Sequence, residues 1–220
     1  MVINVEGIIY KTQSYKENSR LLFIYTNEGK RTLLAQGSQK LNNNNRILAQ
    51  YLNLITFDDN KKSFQSLKNA KLILEYTNIK NDFEKTKITG VALEIIDKTI
   101  TEDEDHLSIY NELKLMLESE TTTESVLSFA LKILKYIGFG LYLSPDGRKI
   151  KGVSTISGGL VYENDGTPID LDAKEAVILL KLYVMPYNEL EQLTEKSINK
   201  IKEFVRNYYR YHLQTELKNL

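Results

Sequence analysis

The first forty residues constrain the fold of this chain more than any other stretch. Residues 2–13 alternate and are rich in β-branched side chains, the pattern of a strand. Arg20-Leu21-Leu22-Phe23-Ile24-Tyr25-Thr26 is a second such run, and residues 31–36 are a third. Between the last two stands Asn27-Glu28-Gly29-Lys30, a turn signal in which glycine accepts a positive φ without steric cost. Basic residues fall between the apolar ones. One face of such strands therefore meets a core, and the other carries cations.

Two further strands fit residues 49–58 and 63–76, separated by Asp58-Asp59-Asn60-Lys61-Lys62. The polar run from Gln39 to Arg46 reads as a mobile loop. Five short strands in about 75 residues predict a closed antiparallel barrel of the OB-fold type. Phe23 and Tyr25 share a face, and that face is expected to be the barrel interior.

The period changes after Asn78. Ile88, Val91, Ala92, Ile95, Ile96 and Thr99 recur at helical spacing, residues 107–118 form a second amphipathic segment, and Ser125 to Ile137 reads as a core helix. Gly138-Phe139-Gly140 stops it. Residues 141–170 lose periodicity and collect Pro145, Gly147, Gly152, Gly158, Gly159 and Gly166-Thr167-Pro168, a loop-rich insert with room for a short hairpin. Asp172 is placed to cap a helix over 173–184 with Glu175 in the capping-box position, and Thr194 to cap a long helix over about 195–217. The expected class is α+β: an OB-fold domain over residues 1–78, then a helical domain over 79–220 carrying the insert.

Charge follows the same division. Lys and Arg equal Asp and Glu at 29 each, yet residues 1–78 hold 11 − 6 = +5 and residues 79–220 hold 18 − 23 = −5. Either this is a chance spread of surface charge, or a basic binding module precedes a more acidic helical body. The chain has no cysteine, which excludes disulfides and thiolate zinc sites. No apolar run reaches the roughly 18 residues of a membrane span, and Met1-Val2-Ile3-Asn4-Val5-Glu6 lacks the pattern of a signal peptide. A cytoplasmic protein is expected.

Catalytic constellations are not evident. His106 lies in an acidic turn and His212 near a helix end, positions that suit structural or surface roles. Glu102-Asp103-Glu104-Asp105 lacks the spacing and the glycine of a calcium loop. Gly158-Gly159 is not followed by the Gly-Lys-Ser/Thr of a phosphate loop. No enzymatic activity, cofactor or metal is therefore expected. The positive signals are electrostatic. Lys11, Arg20, Lys30, Arg31, Lys40 and Arg46 are the candidate nucleic-acid-binding cations; with Lys16 they are interleaved with Tyr10, Tyr15, Phe23, Tyr25 and Tyr51. Cations that follow phosphates beside rings that stack on bases are how single-strand binders work. Lys202, Arg206 and Arg210, spaced by four, form an auxiliary basic stripe beside an apolar one. That stripe is a solvated helix edge, an extension of the binding surface, or a dock for an acidic partner tail.

The quoted runs, in their order, resemble the RecO family of bacterial recombination mediators. The resemblance rests on Glu6-Gly7-Ile8-Ile9-Tyr10-Lys11-Thr12, Tyr15-Lys16-Glu17-Asn18-Ser19-Arg20-Leu21, Tyr25-Thr26-Asn27-Glu28-Gly29 and Ala35-Gln36-Gly37. Ile137-Gly138-Phe139-Gly140 and the C-terminal run from Tyr211 to Lys218 agree with it. It implies binding of single- and double-stranded DNA, annealing of complementary strands, and partnership with RecR. It also implies loading of RecA onto DNA covered by single-stranded-DNA-binding protein, whose acidic C-terminal tail docks on the helical domain.

Three departures from the family pattern stand out. Asp146, Lys149, Tyr162 and Asp165 occupy the places where many members carry four zinc-binding cysteines, so the insert must fold by its own packing. The loop after Gly37 keeps Lys40 and Arg46 but runs through Asn42 to Asn45, which implies a shallow salt dependence of DNA binding that Asn43→Lys would steepen. Leu127-Ser128-Phe129-Ala130 stands where members often carry Arg-Arg-Phe-Glu, which leaves Lys132 and Lys135 as cations for an acidic tail. The competing readings are a protein-interaction scaffold whose barrel binds DNA weakly and, with less support, a nuclease with dispersed carboxylates.

Overall fold

The computed structural model describes residues 3–62 and 64–220; Val2 and Ser63, the first residues of two expected strands, lie outside them. The class is α+β, a sheet at the N-terminus followed by helices. The chain divides into two compact units, Met1–Phe83 with Thr101–Asn111, and Glu84–Ile100 with Glu112–Leu220.

The first unit is built on β1 (Ile3–Tyr15), β2 (Ser19–Thr26), β3 (Gly29–Ala35), β4 (Asn53–Asp59), β5 (Phe64–Ser66) and β6 (Lys71–Glu75). These form one sheet in the order β5-β3-β2-β1-β4-β6. All pairings are antiparallel except the short parallel pair of β3 with β5. Where five strands in a closed barrel are expected, the sheet has six and is open. The reason is local: the run expected at 63–76 breaks at residues 67–70, where Asn69 takes a φ of 49°. The two edge strands are thus the halves of one segment. Between them Leu67 N–H donates to Leu34 O (2.9 Å) and Asp58 N–H donates to Lys68 O (3.1 Å).

Inside the sheet lie Val5, Ile9, Leu22, Ile24, Leu33, Ile55 and Phe57. The expectation that Phe23 and Tyr25 face this core is wrong, since Leu22 and Ile24 do. Tyr25 is nonetheless buried. It lies on the opposite face, where its hydroxyl meets His106 Nδ1 at 3.1 Å and its ring lies 6.4 Å from that of Tyr110. A covered outer face supplies burial that alternation alone assigns to the interior. A bulge at Tyr10 shifts the β1–β2 register, so Lys11 opposes Phe23. Gly29 closes the β2–β3 hairpin at φ 103°, as the turn signal requires.

A buried carboxylate fixes one end of the sheet. Asp59 accepts Arg31 Nε–H, the Lys61 backbone N–H and Gln65 Nε2–H, each at 2.7 Å. Burial works to raise its pKa, but these donors outweigh burial and hold it below the usual aspartate value. Short helices α1 (Asn45–Leu48) and α2 (Thr77–Lys80) follow β3 and β6.

The second unit contains the body of α3 (Phe83–Thr99), the later turns of α4 (His106–Glu118), α5 (Thr122–Tyr136), α6 (Ala173–Val184) and α7 (Glu195–His212). Helix α5 is the core helix; Val126, Leu127, Phe129, Ala130, Ile133 and Leu134 have no exposed surface. Three of its buried polar groups meet backbone atoms of its neighbours. Ser128 Oγ–H donates to Leu182 O (2.6 Å), and Lys132 Nζ donates to Met185 O (2.7 Å). These carbonyls lie at the end of α6, where intrahelical donors run out. Tyr209 OH donates to Ala130 O (2.7 Å), and Leu193 N–H donates to Glu124 Oε1 (2.8 Å). Both expected N-caps are present: Asp172 and Glu175 form a reciprocal capping box, and Thr194 Oγ1 accepts from Ser197 N.

The insert holds a small sheet of β7 (Ile150–Ser154), β8 (Gly159–Tyr162) and β9 (Leu171–Asp172), in the order β8-β7-β9. Val153, Val161 and Leu171 are buried. Arg148 joins two of the four positions that bear on zinc. Its guanidinium bonds Asp146 and Asp165, both at 2.7 Å, and lies 3.9 Å from the centre of the Tyr162 ring. Lys149 pairs with Glu163 at 2.6 Å. A cation made of protein thus sits among these side chains.

Helix α7 stops at His212, earlier than the expected 217, because Gln214 takes a φ of 51° and Thr215 N–H turns back to Tyr209 O (3.1 Å). The tail then runs along α3. Glu94 accepts the backbone N–H groups of Lys218 (3.0 Å) and Asn219 (3.1 Å), and Lys98 Nζ (2.6 Å). Burial tends to raise the Glu94 pKa, but these bonds outweigh it and hold it below the usual glutamate value.

Two outcomes follow. Asp59→Ala removes the buried partner of the Arg31 guanidinium, leaving it the more exposed Glu28, and lowers stability by about 3 kcal/mol in urea unfolding. Because the Asp59 pKa is depressed on folding, its contribution is complete above the ordinary carboxyl pKa of about 4. It fades as pH falls through the lower folded value, and Asp59→Ala flattens that part of the stability curve. Glu94→Ala releases the tail: the Lys218 and Asn219 amides exchange with deuterium at least about tenfold faster, while those of α5 do not change.

Candidate nucleic-acid interface

The six candidate cations of the first unit divide into two kinds. Lys40 and Arg46 are exposed, on the loop between β3 and β4. Lys11 is exposed on β1, with its ammonium 5.1 Å from the centre of the Phe23 ring. Lys30 is half-buried on β3. The other two serve the fold. Arg20 Nη1 donates to Ala49 O (3.0 Å), and the Arg31 side chain, 16% exposed, is held by Asp59 at 2.7 Å and Glu28 at 3.3 Å. Sequence spacing did not separate the two kinds, because Asp59 lies 28 positions from Arg31.

Asparagine side chains bond this loop to its own backbone. Gln36 O accepts Nδ2–H from Asn45 (3.1 Å) and Asn43 (3.4 Å), and Asn43 Oδ1 accepts Asn45 N–H (2.8 Å). At the far side Asn53 Nδ2–H holds Ile47 O (2.8 Å). Gly37, at φ 67°, lies where a side chain would run into Asn43. Asn43 is therefore a poor place to add a cation; Asn42 and Asn44 point to solvent.

Of the auxiliary stripe in the second unit, Arg206 and Arg210 are exposed and Lys202 is half-buried. The opposite side of α7 buries Ile201, Phe204, Val205, Tyr208 and Tyr209. Burial pushes the Tyr208 hydroxyl up to about 12, with Tyr183 and Tyr142 adding to the rise. That hydroxyl donates to Phe139 O at 3.0 Å.

The second unit also has a groove of about 1180 Å³, walled by Leu115, Tyr183, Val184 and Tyr187. Of the two lysines expected to meet an acidic tail, Lys132 is buried and already bonded to Met185 O, with its ammonium 3.9 Å from the centre of the Tyr187 ring. Burial lowers its pKa. Lys135 is the open one, its side chain 43% exposed and 3.9 Å from Glu112. Among the described residues, no group of three or more His, Asp or Glu side chains is placed to hold a metal ion. No helix among them is long and apolar enough to cross a membrane.

Comparison with known proteins covers the whole of this arrangement. Residues 1–76 match the family model described as recombination protein O, N terminal, and residues 80–220 match that described as recombination protein O, C terminal. The DNA repair protein RecO of Clostridium perfringens (strain 13 / Type A) is 27% identical, over 99% of this chain and 87% of its own length. The protein of the same name from Caldicellulosiruptor bescii is 25% identical over 100% of this chain and 96% of its own. That of Bacillus subtilis (strain 168) is 24% identical over 100% and 92%. With both halves matched in order, and relatives aligned nearly end to end, the chain belongs to the RecO family.

Proposed function

We propose that this protein is a non-enzymatic mediator of recombinational DNA repair. It binds single- and double-stranded DNA, brings complementary strands together, and helps load recombinase onto single strands covered by single-stranded-DNA-binding protein. The observation that carries the reading is the match of both family halves across the chain. The loop with its exposed Lys40 and Arg46 supports it. The sheet acts as an interrupted OB-type barrel, its seam carried by residues 64–75 in place of a fifth continuous strand. Residues 1–78 form the DNA-binding domain. Lys11, Lys30, Lys40 and Arg46 neutralise phosphates, while Arg20 and Arg31 shape the surface that presents them. Arg206 and Arg210, with Lys202, extend it. RecR is a partner, and the acidic tail of single-stranded-DNA-binding protein lies in the groove beside Lys135, with its apolar end against Leu115 and Val184.

A scaffold that binds DNA weakly is the second reading. The commitment of Arg31 to Asp59 and of Arg20 to Ala49 O favours it, because two of six candidate cations are withdrawn.

Annealing of labelled complementary oligonucleotides separates these readings. The mediator accelerates annealing without nucleotide; a scaffold gives neither acceleration nor a gel shift; strand cleavage in magnesium overturns both. The cations also set a slope. Asn44→Lys adds one phosphate contact and steepens the plot of log affinity against log salt by about 0.7 on a single strand. A slope equal to that of the unaltered protein means the loop does not lie on the DNA.

A further inference from the structure

The stretch from Gly29 to Phe57 contains no aspartate or glutamate, yet Lys30, Arg31, Lys40 and Arg46 fall within it. Two large aliphatic side chains in the same stretch stand in water: Leu41 is 79% exposed and Ile47 59% exposed. Each directly follows a cation, Leu41 after Lys40 and Ile47 after Arg46. Free aliphatic side chains on a mobile loop would fold back onto apolar neighbours. Here they do not, and backbone bonds stand on either side of Leu41: Lys40 N–H donates to Gly37 O (2.9 Å) and Asn43 N–H to Lys40 O (3.3 Å). The Asn43 and Asn45 amides hold the loop to Gln36 O, Asn53 Nδ2–H holds the carbonyl of Ile47 itself at 2.8 Å, and Arg20 holds Ala49 O at 3.0 Å.

A ligand that fits must offer negative charge and uncovered apolar surface side by side, twice. A protein groove lined only with apolar groups leaves Lys40 and Arg46 without partners. A duplex offers phosphates, but its base faces are covered by stacking. A single strand offers both, because each nucleotide carries a phosphate and an open base face. An anionic lipid surface shares the charge. Two side chains, however, bury little against acyl chains, and the exposed Asn42 and Asn44 amides suit phosphate and base edges better than hydrocarbon.

We propose that Leu41 and Ile47 make non-ionic contacts with the unpaired bases of a single DNA strand whose phosphates Lys40 and Arg46 neutralise, and so set the preference for single strands over duplex. The proposal rests on the reading that the chain binds DNA.

The test is a salt titration by fluorescence anisotropy, on an oligothymidylate and on a duplex of equal length. Leu41→Ser with Ile47→Ser is expected to weaken single-strand binding about tenfold at every salt concentration, since contacts with base faces release no counterions. The salt slope and the duplex affinity stay as they are. Leu41→Phe with Ile47→Phe holds or tightens single-strand binding, because a ring stacks better than an aliphatic chain. Four results overturn the proposal: a serine pair that binds single strands as the unaltered protein does, an equal loss on both DNAs, a phenylalanine pair as weak as the serine pair, or binding to phosphatidylserine vesicles that is lost with Leu41 and Ile47. If the unaltered protein binds neither DNA, the reading under Proposed function fails and takes this one with it. If it binds both DNAs and the serine pair matches it, this inference fails alone.

Discussion

One buried carboxylate carries the first unit. A carboxylate out of water has to be met by donors, or it takes up a proton. Asp59 finds three: a guanidinium from β3, a backbone N–H from the turn that follows β4, and an amide from β5. One of those groups comes from the strand that the sheet's own ladder holds least well. Strand β5 is three residues long and pairs with β3 in parallel, so few backbone bonds fix it. The side-chain network supplies what the ladder lacks. Its consequence reaches the surface, because the guanidinium that satisfies Asp59 is one that a count of cations assigns to DNA.

The second unit solves a similar problem with the signs arranged differently. A helix as buried as α5 has little access to water, and its polar side chains must find partners in the protein. Ser128 and Lys132 find the carbonyls at and beyond the C-terminal end of α6, which have lost their intrahelical donors, and Glu124 finds the backbone N–H of Leu193. Lys132 is the clearest case: its ammonium meets Met185 O and the face of Tyr187. A cation at the C-terminal end of a helix is favourable, and a ring beneath it replaces part of the water it gave up. The same arrangement removes Lys132 from any acidic ligand in the groove and leaves that task to Lys135.

What the sequence made legible follows the range of the interactions. The capping box of Asp172 with Glu175, the cap at Thr194 and the hairpin at Gly29 are set within four residues, and all three can be read from residue type and spacing. Helical periods beyond Asn78 are equally local, and α3 to α7 appear where they are expected, apart from the early stop of α7. Long-range effects are not legible in this way. Whether Phe23 and Tyr25 or Leu22 and Ile24 face the core depends on what covers each face of the sheet, and alternation is symmetric in that respect. The break at Asn69 turns one expected strand into two, and the bulge at Tyr10 shifts a register. Neither residue type announces either event. In the candidate site, Arg31 and Lys40 look alike until Asp59 is seen beside one of them. Four successive asparagines suggest mobility by composition, whereas two of their amides hold a single carbonyl.

The commitment of two of the six candidate cations to the fold bears on the proposed work of the protein. Each phosphate neutralised adds to affinity through the ions it releases, so a surface dense in arginine holds a strand tightly and gives it up slowly. A mediator must do two things in turn: lower the repulsion between strands, and then let the paired product go. Affinity that rests on a few cations with non-ionic contacts to bases has the required asymmetry. Pairing covers the base faces, so the contacts that favour a single strand disappear as the duplex forms, while the ionic part of binding is common to both. On such a surface annealing itself weakens the grip. If the protein works in this way, the withdrawal of Arg20 and Arg31 into the fold favours release, because it keeps the ionic part small enough for the non-ionic part to decide which DNA is held.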